Sequence, residues 1–280
     1  MTDWQLTRTY RGGAGTIRWD RFGDPDAEPV VLLHGTPFSS FIWRGFARGL
    51  AGVYDTYVWD MPGYGLSEMT PDQDLSLAAL GRAFAELLDH WGLSRPRVVA
   101  HDSGGAVALG AHLLHGVRYR RLALVDAVAL APWGSPFFQV VGEHARVFDR
   151  LPAALHRAVL REYVNTASSP GLHPVTLEAL IRPWLTEEGQ EAFYRQLTAR
   201  RQDERYTDTL RPRLADVAAT TLVCWGADDT WIPPDRGREL AALLPDARLR
   251  VIPGAGHLSP EDQPAELATT LTTFLAASDD

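Results

Sequence analysis

Ala100-His101-Asp102-Ser103-Gly104 sets two side chains able to act as nucleophiles, a carboxylate and a hydroxyl, next to each other. The apolar run Val98-Val99-Ala100 leads in, and the small-residue run Gly104-Gly105-Ala106-Val107-Ala108 leads out. That pattern is a strand turning directly into a helix. A turn of the form small-x-nucleophile-x-small is strained, pushes its central side chain out at the top of a sheet and tolerates only small flanking residues. Ala100 and Gly104 bracket Asp102 in that frame. The frame centred on Ser103 instead needs His101 in the first small position, where an imidazole collides with the turn. The two frames mean different chemistry. Ser103 would carry out acyl transfer. A carboxylate attacking an ester gives an anhydride, an uphill product, but attacking an electrophilic sp³ carbon it gives a stable alkyl ester on the enzyme. The spacing favours Asp102.

Two further groups follow strand-like segments. Gly226-Ala-Asp-Asp229 ends Thr221-Leu-Val-Cys-Trp-Gly, and Gly254-Ala-Gly-His257 comes after Ala247-Arg-Leu-Arg-Val-Ile. With Asp102 they give the chain order nucleophile, acid, histidine, known for one triad arrangement.

The elements that must position these residues alternate. Thr16–Phe22 reads as a half-exposed strand, Val30–His34 as a buried parallel one, and Tyr54–Asp60 as a third that ends at the turn Met61-Pro-Gly-Tyr-Gly65. Leu77, Leu80, Phe84, Leu87, Leu88 and Trp91 recur at helical spacing, with Gly92 placed as a C-terminal cap. The strand into Asp102, its helix and the strand Leu122–Asp126 come next. The alternation breaks at Ala131-Pro-Trp-Gly-Ser-Pro, and as far as Arg213 only helix-period segments and prolines remain (Pro152, Pro170, Pro174, Pro183). It resumes with the last two strands. The expected fold class is therefore α/β: a doubly wound, mostly parallel sheet, with its ligand at the carboxyl ends of the strands. Residues 1–130 and 214–280 form its core, and 131–213 an inserted helical cap.

Several segments together resemble one superfamily over nearly the whole chain: His34-Gly35-Thr36-Pro37 with Trp43, Asp60-Met-Pro-Gly-Tyr-Gly65, His101-Asp102-x-Gly104-Gly105, Gly226-x-x-Asp229 and Gly256-His257. The chain resembles the α/β-hydrolases, and within them the capped branch with an aspartate nucleophile: epoxide hydrolases, haloalkane dehalogenases and haloacetate dehalogenases. The resemblance implies an enzyme with no metal and no cofactor. Asp102 would be alkylated, and His257 would activate the water that hydrolyses the ester. Asp229 would orient His257, with Asp126 and Asp228 as alternative acids. The backbone N–H groups of Thr36 and Ser103 would form the oxyanion hole. His34 would order its loop, and the His101 side chain would point away from the site.

The leaving group divides the branch. An alkoxide leaving an epoxide needs a proton, which the cap tyrosines Tyr163, Tyr194 and Tyr206 could supply. A halide needs N–H donors instead. The residue after the nucleophile is Ser103 rather than the tryptophan frequent in dehalogenases, which leaves Trp133 and Trp184 of the cap. The expected activity is epoxide hydrolysis, with dehalogenation as the alternative, and behind them a serine esterase centred on Ser103 or a non-catalytic member of the fold.

Composition excludes other classes. The chain has 280 residues, 45% hydrophobic and 22% charged, which suits a globular core. All 27 basic residues are arginine, which removes Schiff-base and lysine-nucleophile chemistry. A net charge of −8 argues against nucleic acid as a partner. The arginines between Arg195 and Arg213 read as a solvated helical face. No apolar run spans a bilayer, and the polar stretch Met1–Arg11 is not read as a signal peptide. The single cysteine, Cys224, reads as a buried core thiol, so a cytoplasmic location is expected. The aromatic residues of the cap (Phe137, Phe138, Phe148, Trp184, Phe193) point to a small apolar or aromatic substrate, while oligomeric state is not readable.

Overall fold

The computed structural model describes residues 4–277. Its strands are β1 (Arg8–Gly12), β2 (Gly15–Phe22), β3 (Pro29–Leu33), β4 (Asp55–Trp59), β5 (Arg97–His101), β6 (Arg121–Val125), β7 (Thr220–Gly226) and β8 (Ala247–Ile252). They form one sheet in the order β1-β2-β4-β3-β5-β6-β7-β8. β2 is antiparallel to both its neighbours, and β3 to β8 run parallel. The central strands read as unbroken apolar runs because helices cover both faces. Val30–Leu33, Val98–Ala100 and Leu122–Val125 are fully buried.

The helices preceding β6 are α1 (Arg44–Leu50), α2 (Leu77–Trp91) and α3 (Ser103–His115). α2 buries Leu77, Leu80, Phe84, Leu87 and Leu88 on one face. Ser76 caps its start, accepting from the Ala79 amide, and Gly92 ends it at φ 71°. The first turn of α3, Ser103-Gly104-Gly105-Ala106, is small, and this lets it lie close to the sheet. A Cβ on Gly105 would come within 2.6 Å of Ala127 Cβ.

Between β6 and β7 lie α4 (Pro136–Phe148), α5 (Ala153–Asn165), α6 (Pro174–Ile181), α7 (Glu187–Gln202) and α8 (Glu204–Leu210), with no strand among the described residues. Arg205, Arg211 and Arg213 there are exposed, and Arg211 pairs with Glu239 at 2.6 Å. The chain then returns to the sheet and adds α9 (Pro234–Leu243), α10 (Ser259–Asp262) and α11 (Pro264–Ala276). Among the described residues no helix is long and apolar enough to cross a membrane.

This topology fixes where a site can form. From β3 the chain moves outward to β4, then crosses back to β5 on β3's other side. A crevice therefore opens at the carboxyl ends of β3 and β5, the switch point where such sheets bind ligands. Register keeps the neighbouring ends level: Leu33 pairs with Ala100, Ala100 with Leu124, and Val125 with Cys224. Thr36, Asp102, Asp126, Asp229 and His257 all leave the sheet at this edge.

Candidate active site

Asp102 follows the last residue of β5 and precedes the first turn of α3, at φ 49° and ψ −125°. A residue with a Cβ pays for such backbone with roughly 1–3 kcal/mol of strain. The conformation holds because the surroundings leave no alternative: a Cβ on Gly104 would run into His34 O, and one on Gly35 would overlap Asp102 itself. The carboxylate is consequently fixed at the crevice.

Its two oxygens differ. Oδ1 accepts the Thr36 amide at 2.6 Å. Oδ2 lies 3.3 Å from His257 Nε2, close enough for strong attraction although the nitrogen is not aligned in a hydrogen bond. Burial opposes ionisation of Asp102, but His257 outweighs it and brings its pKa below the ordinary value.

His257 is fully buried in the loop after β8. Its Nδ1 donates to Asp229 Oδ2 at 2.9 Å, which leaves Nε2 directed at Asp102. Burial opposes its charge, yet Asp229 and Asp102 prevail and hold its pKa well above the usual value. Asp229 is itself anchored by a tight local turn, in which Oδ1 accepts the amides of Trp231 and Ile232 at 2.8 and 2.9 Å.

The other acids are placed differently. Asp126 is buried at φ 46° and accepts the Gly226 amide at 2.6 Å. Burial, and then the charge of Asp229, push its pKa well above the carboxylate range. Asp228 is exposed and accepts from Ser169 Oγ at 3.1 Å.

Two further histidines play distinct parts. His34 accepts the Met61 amide on Nε2 at 2.9 Å and donates from Nδ1 to Gly35 O at 3.1 Å, which ties two loops together. His101 points behind the site, where its Nε2 donates to His257 O at 2.9 Å. Burial, then the nearby His257, lower its pKa to about 3, so it is neutral. Its ring lies 5.2 Å from that of His257.

Thr36, Asp102, Ser103, Val128, Trp133, Phe138, Tyr163, Trp231 and Ile232 surround a cavity of about 20 Å³. That is room for a single water, so any larger occupant needs the walls to move. The walls are apolar and aromatic. Trp231 stacks on Tyr163 at 4.5 Å and on His257 at 5.0 Å, forming a three-ring column beside the imidazole.

Of the inserted-segment residues expected at the leaving group, Tyr163 and Trp133 line this cavity, and Tyr194, Tyr206 and Trp184 do not. Tyr194 OH instead pairs with His156 Nδ1 at 2.9 Å. The Tyr206 ring lies over the cleft made by Gly81 and Gly110 on the far side of α3. Trp184 donates to Pro37 O at 2.8 Å. The Trp133 indole turns its N–H outward to Thr207 Oγ1 at 3.2 Å. Position in the inserted segment does not say which way each ring faces. Ser103 Oγ sits 3.1 Å from Thr36 Oγ1 and makes no hydrogen bond to His257.

Two residues at the site were not anticipated from the sequence. Trp231 is two positions beyond Asp229, and that proximity was the only available signal. Tyr64, in the Gly-Tyr-Gly turn, is fully buried and bonds Thr36 Oγ1 at 2.8 Å.

Comparison with known proteins agrees with the architecture. Residues 30–270 match the family described as "Alpha/beta hydrolase family". A 2-hydroxy-6-oxo-6-phenylhexa-2,4-dienoate hydrolase of Burkholderia cepacia is 28% identical over 236 residues, covering 82% of this chain and 81% of the relative. A cis-3-alkyl-4-alkyloxetan-2-one decarboxylase of Xanthomonas campestris is 26% identical, with 90% of each chain covered. The crystal structure of an alpha/beta hydrolase fold protein from Burkholderia ambifaria superposes with a TM-score of 0.91 at 40% identity, covering 96% of this chain and 98% of that one.

Proposed function

This chain belongs to the alpha/beta hydrolase family, and we propose that within it the chain is an epoxide hydrolase working through an alkyl ester on Asp102. The observation that carries this reading is the carboxylate held by the Thr36 amide at 2.6 Å with its other oxygen beside His257. A serine nucleophile would need its hydroxyl on His257, whereas Ser103 bonds Thr36.

In the first step Asp102 Oδ2 attacks a ring carbon of the epoxide, a C–O ester bond forms and the ring C–O bond breaks. In the second, His257 removes a proton from water, and the hydroxide adds to the ester carbonyl. The developing oxyanion is Oδ1, already held by the Thr36 amide, with the Ser103 amide as the second donor the reaction would recruit. Collapse of the adduct releases the diol and restores the carboxylate. Asp229 holds the imidazole tautomer throughout. No cofactor is required.

Epoxide is preferred to halide because the polar groups lining the cavity are hydroxyls. Trp133, Trp184 and Trp231 all spend their N–H groups elsewhere, on Thr207, Pro37 and Thr166. Tyr163 is the phenol of the inserted helices that reaches the cavity. The Xanthomonas relative is named for a substrate with a strained oxygen ring, and an epoxide is such a ring. We assign residues 131–213 the role of a cap that must shift to admit substrate. The aromatic walls favour a small apolar or aryl epoxide. The buried Cys224 thiol suits a cytoplasmic enzyme.

Intact-mass spectrometry of the His257→Gln variant with styrene oxide tests the reading. The expected result is protein heavier by one epoxide, with the label on Asp102. An unlabelled variant, beside a wild type that turns the epoxide over, would reject it.

A further inference from the structure

We propose that a buried chain of three hydroxyls, Ser103, Thr36 and Tyr64, delivers the proton to the leaving oxygen. Ser103 is the first residue of α3, directly after Asp102, and it lines the cavity with Thr36. Its Oγ is 3.1 Å from Thr36 Oγ1, which is 2.8 Å from Tyr64 OH. All three are buried, at 1%, 7% and 0% exposure, so bulk water does not compete for these bonds.

A hydroxyl both donates and accepts, so a line of them passes a proton by each oxygen taking one hydrogen and giving another. Hydrogen bonds in such a chain also polarise one another in low dielectric. A phenol is a stronger acid than an aliphatic hydroxyl, which makes Tyr64 the source and Ser103, on the cavity wall, the point of delivery. Thr36 has a double position. Its amide orients the nucleophile and its hydroxyl carries the proton, so one residue couples attack to departure.

The inference rests on the Asp102 reading and completes its first step. As Asp102 Oδ2 bonds the ring carbon, the electron pair of the breaking C–O bond goes to the ring oxygen. That oxygen takes the Ser103 hydrogen, Ser103 takes that of Thr36, and Thr36 takes that of Tyr64, leaving a phenolate. Hydrolysis of the ester by one water frees one proton beyond those kept by the diol, and it returns to Tyr64. Water and epoxide become diol, and the enzyme is unchanged.

The test uses styrene oxide and full-length protein carrying His257→Gln, with labelling of Asp102 followed by rapid quench and mass spectrometry. Adding Ser103→Ala or Tyr64→Phe is expected to slow labelling by roughly 10²-fold, the lower end for a lost general acid. Thr36→Val, which keeps the amide, should slow it similarly, and Thr36→Ser should restore it. A purely structural role for the Thr36 methyl would reverse that last order. The parent rate in mixed H2O and D2O should curve with deuterium fraction, as several protons move together, and the Thr36→Val rate should be linear. Parent-like labelling in Ser103→Ala and Tyr64→Phe overturns the chain while leaving Asp102 as nucleophile. A parent variant that never labels overturns both.

Discussion

The Thr36 amide holds one oxygen of Asp102 at 2.6 Å, and that bond makes the two oxygens of the carboxylate unequal. In the proposed mechanism the bound oxygen is the one on which negative charge later develops. The other, 3.3 Å from His257 Nε2, is the one that attacks. On that proposal a single side chain holds both the nucleophile and the future oxyanion, and the consequences can be measured.

The first consequence concerns pH. His257 is held protonated by Asp229 and Asp102 with a pKa well above its usual value, and Asp102 is ionised with a lowered one. Alkylation needs the carboxylate, so it should stay flat through neutral pH and fail only as acid protonates Asp102. Hydrolysis needs a neutral imidazole. Alkylation cancels the Asp102 charge, which makes the proton easier to lose, and the hydrolysis rate should rise with pH. NMR titration should give His257 a lower pKa in Asp102→Asn than in wild type. An unchanged value would contradict this electrostatic account.

A second consequence separates the acids. Asp126 is pushed towards its neutral form by burial and by Asp229, so Asp126→Asn should change kcat by less than about tenfold. Asp229→Asn should slow ester hydrolysis by roughly 10²–10⁴-fold, since it disturbs the tautomer and the imidazolium. Equal losses in single-turnover assays would mean both acids act on His257.

Packing gives a third. A methyl on Gly35 would overlap the Asp102 side chain, so Gly35→Ala should displace the carboxylate and lower kcat/KM by roughly 10²-fold or more. Steady-state kinetics beside a melting curve would check it. Full activity in a normally stable Gly35→Ala protein would show that the carboxylate position is not critical.

The turn itself gives a fourth. At φ 49° and ψ −125° a residue with a Cβ carries about 1–3 kcal/mol of strain that glycine avoids. Both Asp102→Ala and Asp102→Gly should be inactive, and Asp102→Gly should be the more stable by roughly that amount in urea denaturation. Alanine as the more stable variant would mean that the strain is absent.

The sequence announced the bend at Asp102 because small residues at fixed spacing are what such a turn tolerates. It announced β3, β5 and β6 because strands buried on both faces must be continuously apolar. β1 was missed, since Arg8-Thr-Tyr-Arg-Gly12 has no apolar alternation and is held by its ladder to β2. The helices between β6 and β7 were visible as periodic segments, but ring orientation depends on packing between segments. That is why Tyr163 could not be told from Tyr194 and Tyr206. Tyr64 escaped notice because its turn looked sufficient as a turn, and its hydroxyl matters only once Thr36 is folded against it.

The most direct measurement is a single turnover of excess enzyme on styrene oxide in H2¹⁸O. Attack by Asp102, with water then adding to the ester carbonyl, predicts the heavy oxygen in the Asp102 carboxylate and unlabelled diol from that first turnover. Heavy oxygen in the diol, with Asp102 unlabelled, would mean that water attacks the substrate directly and that no ester forms.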